Sequence, residues 1–183
     1  MANSTTNPAG APASAADLST GHWVLDAAGS SVGFRHKSIW GLVTITGTFA
    51  TVSGEGELGA DGRAHGTLVV DAASVDTKKK KLNTHLRSAD FFQVDKHPDF
   101  TFTADSVVAD SSGNAQVTGR LTVLGTSRPL TFSTQVTAAG PADVTLIGEV
   151  AVDRNDFGMA WKNPGGAMRG LTIVTLKARF TLA

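Results

Sequence analysis

No cysteine occurs in this 183-residue chain, which removes disulfides and thiolate ligands and leaves only His and carboxylates to hold a metal. Neither sign of charge prevails. The 16 basic and 16 acidic residues cancel, so there is no electrostatic footprint for nucleic acid or an anionic membrane surface, and no nucleic-acid partner is expected. Long apolar runs are missing too: nothing approaches the ~18 residues of a transmembrane helix, so no membrane span is expected. Catalytic signatures are equally scarce, with no Gly-x-Ser-x-Gly elbow, no Walker-type phosphate loop and no His-Glu-x-x-His. The five histidines, His22, His36, His65, His85 and His97, stand at spacings that match no common metal site. Catalytic residues, a metal and a cofactor are therefore not expected.

The length suits one domain with a substantial core. Residues 1–21 are rich in Ala, Ser, Thr, Asn and Pro, without the basic and apolar regions of a secretory signal. They carry too little apolar surface to offset the entropy of ordering, and are read as a flexible leader before a domain spanning 22–183. The expected location is cytoplasmic.

What is present is a period of two. Trp23 and Leu25, then Val32, Phe34 and His36, then Val43, Ile45, Gly47 and Phe49 each share a face, with Thr44, Thr46 and Thr48 opposite the last set. The pattern continues through Gly66, Leu68 and Val70; Phe100, Phe102 and Ala104; Val117, Gly119, Leu121 and Val123; Leu130 and Phe132; Val144 to Val152; and Val174 to Leu182. About eight or nine strands joined by short turns predict an all-β antiparallel meander, and closure into a barrel removes its exposed edges.

Two segments break the period. Asp153–Gly170 is too rich in Gly and Pro for regular structure, and its polar start, Asp153-Arg154-Asn155-Asp156, reads as a set of side-chain to backbone ties. Trp40, Met159, Trp161 and Met168 fall in irregular stretches that suit a lid or an end seal. The other break is Leu82 to Phe92, where Leu82 and Leu86 stand four apart as in a short helix, preceded by the solvated run Lys78 to Lys81. It reads as a cap: the leucines pack inward, Arg87 and Asp90 hold the turn, and Phe91-Phe92 dock on a barrel end.

Gly47, Gly66, Gly119 and Gly148 fall on inward phases, either to let strands bend or to leave room for a guest. An eight-stranded barrel holds side chains or one small ligand. The candidate ligand contacts are Phe34, His36, Phe49, Leu68, Val70, Phe91, Phe102, Leu121, Val123, Phe132, Leu146, Val150, Leu176 and Phe180, with Val32 on the same inward phase. So apolar a lining suits a chain-like hydrophobic ligand. His36, polar on an inward phase, either orients a headgroup near the barrel mouth or meets a structural partner.

In their order, Trp23-Val24-Leu25-Asp26, Ser31 to His36, Gly47-Thr48-Phe49, Ala73 to Thr77, His85 to Phe92, His97-Pro98, Phe100-Thr101-Phe102, Gly119 to Pro129 and Arg154-Asn155-Asp156-Phe157-Gly158 resemble the YceI-like domain family from His22 to Leu182. At one place they depart from it, since the family's Arg-Asp before the helical His-Leu is here Leu82-Asn83. The resemblance implies an extended, lipocalin-like, eight-stranded antiparallel β-barrel with one or two short helices. It also implies a non-catalytic binding protein for a polyisoprenoid or another long-chain amphiphile. Two other readings remain: an enzyme acting on such a lipid through His36, His85 or Asp156, and a structural barrel plugged by Phe34, Phe49, Phe102 and Phe132. The Thr-rich outer faces leave a homodimer open.

Overall fold

The computed structural model describes residues 17–38, 42–159 and 170–183. Among them the two-residue period becomes eleven strand segments: β1 (Gly21–Leu25), β2 (Ser31–Ser38), β3 (Val43–Phe49), β4 (Val52–Leu58), β5 (Arg63–Asp71), β6 (Val75–Asp76), β7 (Asp99–Ala109), β8 (Asn114–Val123), β9 (Thr126–Gly140), β10 (Asp143–Asp153) and β11 (Leu171–Leu182). The helix expected around Leu82 and Leu86 is α1 (Lys80–Arg87).

Every pairing is antiparallel, and β11 closes the sheet by pairing with both β10 and β1. The free edge of β11 is shared, because β2 pairs along Thr172–Lys177 and β1 along Phe180–Leu182. β1 and β2 are thus one strand interrupted at Asp26–Ser30, as are β3 with β4 and β5 with β6, and the whole is an eight-stranded closed antiparallel barrel. Aspartate makes the first and third interruptions: Asp26 Oδ1 accepts from the Ala28 N–H and Asp71 Oδ1 from the Ala73 N–H, each starting a one-turn 3₁₀ helix. Asp153 repeats the device after β10, accepting from the Asn155 N–H. The Arg179 guanidinium clamps the first interruption to β10, reaching Asp26 at 2.7 Å and Asp143 at 2.5 Å.

Small residues cross four neighbouring strands in one row, Gly56 opposite Gly66, Gly66 opposite Ala104, and Ala104 opposite Gly119. The register shifts beside this row, between Ala64 and Gly66 and between Ala104 and Ser106, so β5 and β7 bulge where they bend. A Cβ on Gly119 would run into the Thr103 carbonyl, and one on Gly66 would run into Glu55's. Curvature therefore accounts for these two glycines. Gly47 is covered by the Phe34 ring, and Gly148 faces the Ser133 carbonyl and the Thr134 methyl.

Packing along the barrel runs from one end to the other. At the α1 end Ala72, Val75, Leu86, Phe91, Phe92, Val123, Phe157 and Met159 are buried together. Leu25, Val32, Val52, Val70 and Ala178 form the middle, and Trp23, Leu58, Ala115, Val136 and Val144 the far end. Residues 17–20, assigned to the leader, are tied to that far end: Ser19 N–H donates to the Pro141 carbonyl, and the Trp23 indole donates to the Ser19 carbonyl. Trp40, Trp161 and Met168 lie outside the described residues; Met159 is buried.

Candidate functional site

The far half of the barrel holds a cavity of about 160 Å³, partly open to solvent. Its wall is the inward phase of the strands: Trp23 from β1, Leu68 from β5, Phe102 and Val107 from β7, Ala115 and Val117 from β8, Phe132, Thr134 and Val136 from β9, Val144 and Leu146 from β10, and Leu176, Ala178 and Phe180 from β11. Leu18 closes part of the end, and the facing pair Gly56–Gly66 leaves one wall bare of side chains. Thr134 is the buried polar residue of this wall, and its hydroxyl donates to the Ala115 carbonyl, so the surface offered to a guest is apolar.

Six of the candidate contacts read from the sequence are brought together here: Leu68, Phe102, Phe132, Leu146, Leu176 and Phe180. Phe102 and Phe132 pack with their rings tilted and centroids 5.6 Å apart on the cavity wall, where a filled interior was the alternative expectation. The others do not border the cavity. Phe34, Phe49, Phe91, Leu121 and Val123 belong to the packed α1 end, and Val70 to the middle cluster. Their inward phase is right, but α1 and Phe92 press into that end and use up the space. Phe49 sits at the centre, with Phe34 at 5.6 Å, Phe100 edge-on at 5.7 Å and Phe92 at 6.1 Å, while Phe92 meets Phe100 edge-on at 5.0 Å. Val150 is half-buried on β10 and borders neither the cavity nor the aromatic cluster. Of the residues missed, Ala115, Val117, Val136, Val144 and Ala178 continue the phases of Leu121, Phe132, Leu146 and Leu176, and following each phase to the strand end would have found them, whereas Val107 changes phase from Phe102 across the bulge in β7.

α1 is the cap the sequence suggested. Arg87 donates from Nε to the Ala73 carbonyl at 2.8 Å and from Nη2 to the Val75 carbonyl at 3.1 Å. Asp90 enters the turn through its backbone N–H, which donates to Ser88 Oγ. Asn83 accepts from the Thr77 N–H at 2.8 Å and the Thr77 hydroxyl at 2.6 Å, which ties α1 to the end of β6.

His36 lies at the α1 end, 7% exposed, with Nδ1 2.9 Å from Thr172 Oγ1. Its Nε2 is buried without a hydrogen-bond partner among the described residues. Burial lowers its pKa, the Arg154 charge adds to the effect, and the Leu171 carbonyl opposes it. Arg154, on the one-turn 3₁₀ helix Arg154–Phe157, is 9% exposed, and its Nε is also buried without a hydrogen-bond partner among the described residues. The other residues considered for acid–base work are dispersed among unrelated contacts: His85 packs edge-on to Phe91 at 4.9 Å, and Asp156 is exposed, giving its carbonyl to Arg128 Nε. Among the described residues no group of three His, Asp or Glu could hold a metal ion, and no helix is long and apolar enough to cross a membrane.

Comparison with known proteins bears on this architecture. The sequence pattern of the YceI-like domain matches residues 23–182. A UPF0312 protein of Vibrio parahaemolyticus is 33% identical over 123 residues, 64% of this chain and 64% of that protein's length. Protein YceI of Escherichia coli O157:H7 is 37% identical over 73 residues, 40% of this chain and 38% of that protein. Among solved structures, Burkholderia cenocepacia BcnA superposes with a TM-score of 0.74 at 21% identity, over 85% of this chain and 98% of that one. A polyisoprenoid binding domain from Saccharophagus degradans gives 0.67 at 17% identity, over 88% and 98%.

Proposed function

Because the chain belongs to the YceI-like domain family, we propose that it is a binding protein that carries a polyisoprenoid or another long-chain amphiphile, with the apolar tail in the barrel, and that it is not an enzyme. The observation that carries this reading is the cavity of about 160 Å³ with an apolar wall. Such a wall gains from exchanging water for hydrocarbon, at about 25 cal/mol per Å² of apolar surface removed from water. The name of the Saccharophagus degradans domain supports the choice of lipid class. The cavity is comparable to an engineered apolar void of ~150 Å³ that admits benzene. It therefore takes a short length of chain as it stands, and a longer tail has to displace side chains toward the aromatic half.

The experiment is organic extraction of the purified protein with mass spectrometry of the extract, followed by uptake of geranylgeraniol by the stripped protein. A co-purifying isoprenoid or fatty amphiphile, or saturable one-to-one uptake, is the expected result. A clean extract together with no uptake overturns the proposal. It would leave the second reading, favoured by the packed Phe34–Phe49–Phe92–Phe100 cluster, of a barrel filled by its own side chains.

A further inference from the structure

The two ends of the barrel differ in charge, and from this we infer that the outer surface of the α1 end is a docking face for an anionic lipid bilayer. A net charge of zero hides the division. The connecting segments at the α1 end, 77–98 and 154–159, carry Lys78 to Lys81, Arg87, Lys96 and Arg154 against Asp90, Asp95 and Asp156. Those at the far end, 17–20, 59–62, 110–113 and 141–142, carry Asp17, Asp61 and Asp110 and no cation. The molecule is polarised along the barrel, so a negative surface turns its α1 end inward.

Most of these cations have no use inside the protein. Lys78 is held by Asp76, and Arg87 by two backbone carbonyls. Lys79, Lys80, Lys81 and Lys96 are exposed and make no ion pair among the described residues, and the same holds for Lys37 near the end of β2. The helix does not gain from the lysine run either. Its first turn has no acidic residue and no side-chain cap, and the dipole disfavours cations there. Lysines that oppose their own helix and pair with nothing in the protein are accounted for by an anionic surface outside it.

Apolar side chains on the same end select a bilayer over nucleic acid or an acidic protein. Leu42, just before β3, is 83% exposed, and Leu171, which opens β11, is 52% exposed. β3 links them to the lysines: five residues beyond Leu42, Gly47 lies against the methyl of Thr77, two residues before Lys79. That separation is about 17 Å at ~3.3 Å per residue, well within one docking face. Lysines over lipid phosphates with leucines in the headgroup layer hold a protein on a membrane without crossing it. The docking does not require the barrel to carry a lipid.

Flotation of lipid-stripped protein tests the face, with vesicles of phosphatidylcholine alone or of phosphatidylcholine and phosphatidylglycerol in equal parts. The mixed vesicles are expected to bind at least about ten-fold more tightly, and most of that binding to disappear between about 0.05 M and about 0.5 M salt. Each lysine near an anionic surface strengthens binding about five-fold, so K79Q/K80Q/K81Q should bind roughly a hundred-fold more weakly. Its melting temperature should not fall, because these lysines oppose the helix dipole. Leu42→Ser should weaken vesicle binding by about ten-fold and leave binding of inorganic polyphosphate unchanged. Equal binding to both kinds of vesicle, or undiminished binding by the triple variant, overturns the proposal. Polyphosphate binding as tight as vesicle binding, with Leu42→Ser affecting neither, makes the face a general polyanion site and overturns it too. So does salt-sensitive self-association that the triple variant abolishes, without vesicle binding, which would seat the acidic far end of a second copy there. Uptake of geranylgeraniol decides the carrier reading separately from all of these outcomes.

Discussion

A histidine on an inward phase can be a strand-end residue or a working one, and sequence pattern alone leaves both readings open. In the structure His36 is buried, with a hydroxyl on one nitrogen and, among the described residues, no hydrogen-bond partner on the other. Its pKa is lowered, chiefly by burial and then by Arg154, so the unfolded chain binds a proton more readily than the folded one. The stability this residue contributes is complete above the unfolded value of about 6.5 and is lost as pH falls through the lower folded value. The protein should therefore melt at lower temperature as pH drops from 8 to 5, with His36→Gln flattening part of that slope. An identical slope in the two proteins would show that His36 does not titrate as described.

At the scale of the element, α1 illustrates how a short helix survives. Eight residues with no acidic side chain in the first turn and no side-chain N-cap make a poor helix alone, because nucleation is costly and short helices are marginal in water. It is held by what it touches: Leu86 in the core, Arg87 on two carbonyls, and Asn83 on Thr77. The Arg87 bonds anchor it to the stretch that contains Ala72 and Val75, both 0% exposed. Arg87→Ala should cost about 2 kcal/mol, since bonds to charged groups contribute ~1.5–3 kcal/mol. In a chain of this size that lowers the melting temperature by roughly 4–8 °C, with farnesol binding retained. An unchanged melting point would mean that the cap is held by its leucines and phenylalanines alone.

Across the whole molecule, the barrel is divided into an aromatic half and an open half, and the two differ in what fills the same inward phase. Large rings from β2, β3 and β7 meet Phe92 at one end, whereas Gly56, Gly66, Ala115 and Ala178 leave room at the other. Filling that room tests which half holds a guest. Val117→Trp places an indole in the cavity and should lower geranylgeraniol uptake by more than about ten-fold at a stability cost of ~1–3 kcal/mol. Uptake at the original affinity would move the guest out of this cavity.

The alternating pattern determined the strands, their faces and, through the need to remove edges, the closed barrel. It also marked the helical cap, because Leu82 and Leu86 at spacing four interrupt a period of two. Tertiary structure decided what the interior is used for. Phe49 and Phe102 have the same phase and chemistry, yet one is packed against Phe92 and Phe100 and the other borders a cavity, because the docking of α1 supplies rings to one end only. It decided the glycines as well, since whether a missing Cβ leaves space or admits a neighbouring carbonyl depends on how closely the adjacent strand approaches. Arg154 and His36 are 118 residues apart in the chain (154 − 36), and only the closure of β11 onto β2 brings their buried nitrogens to the same end of the barrel.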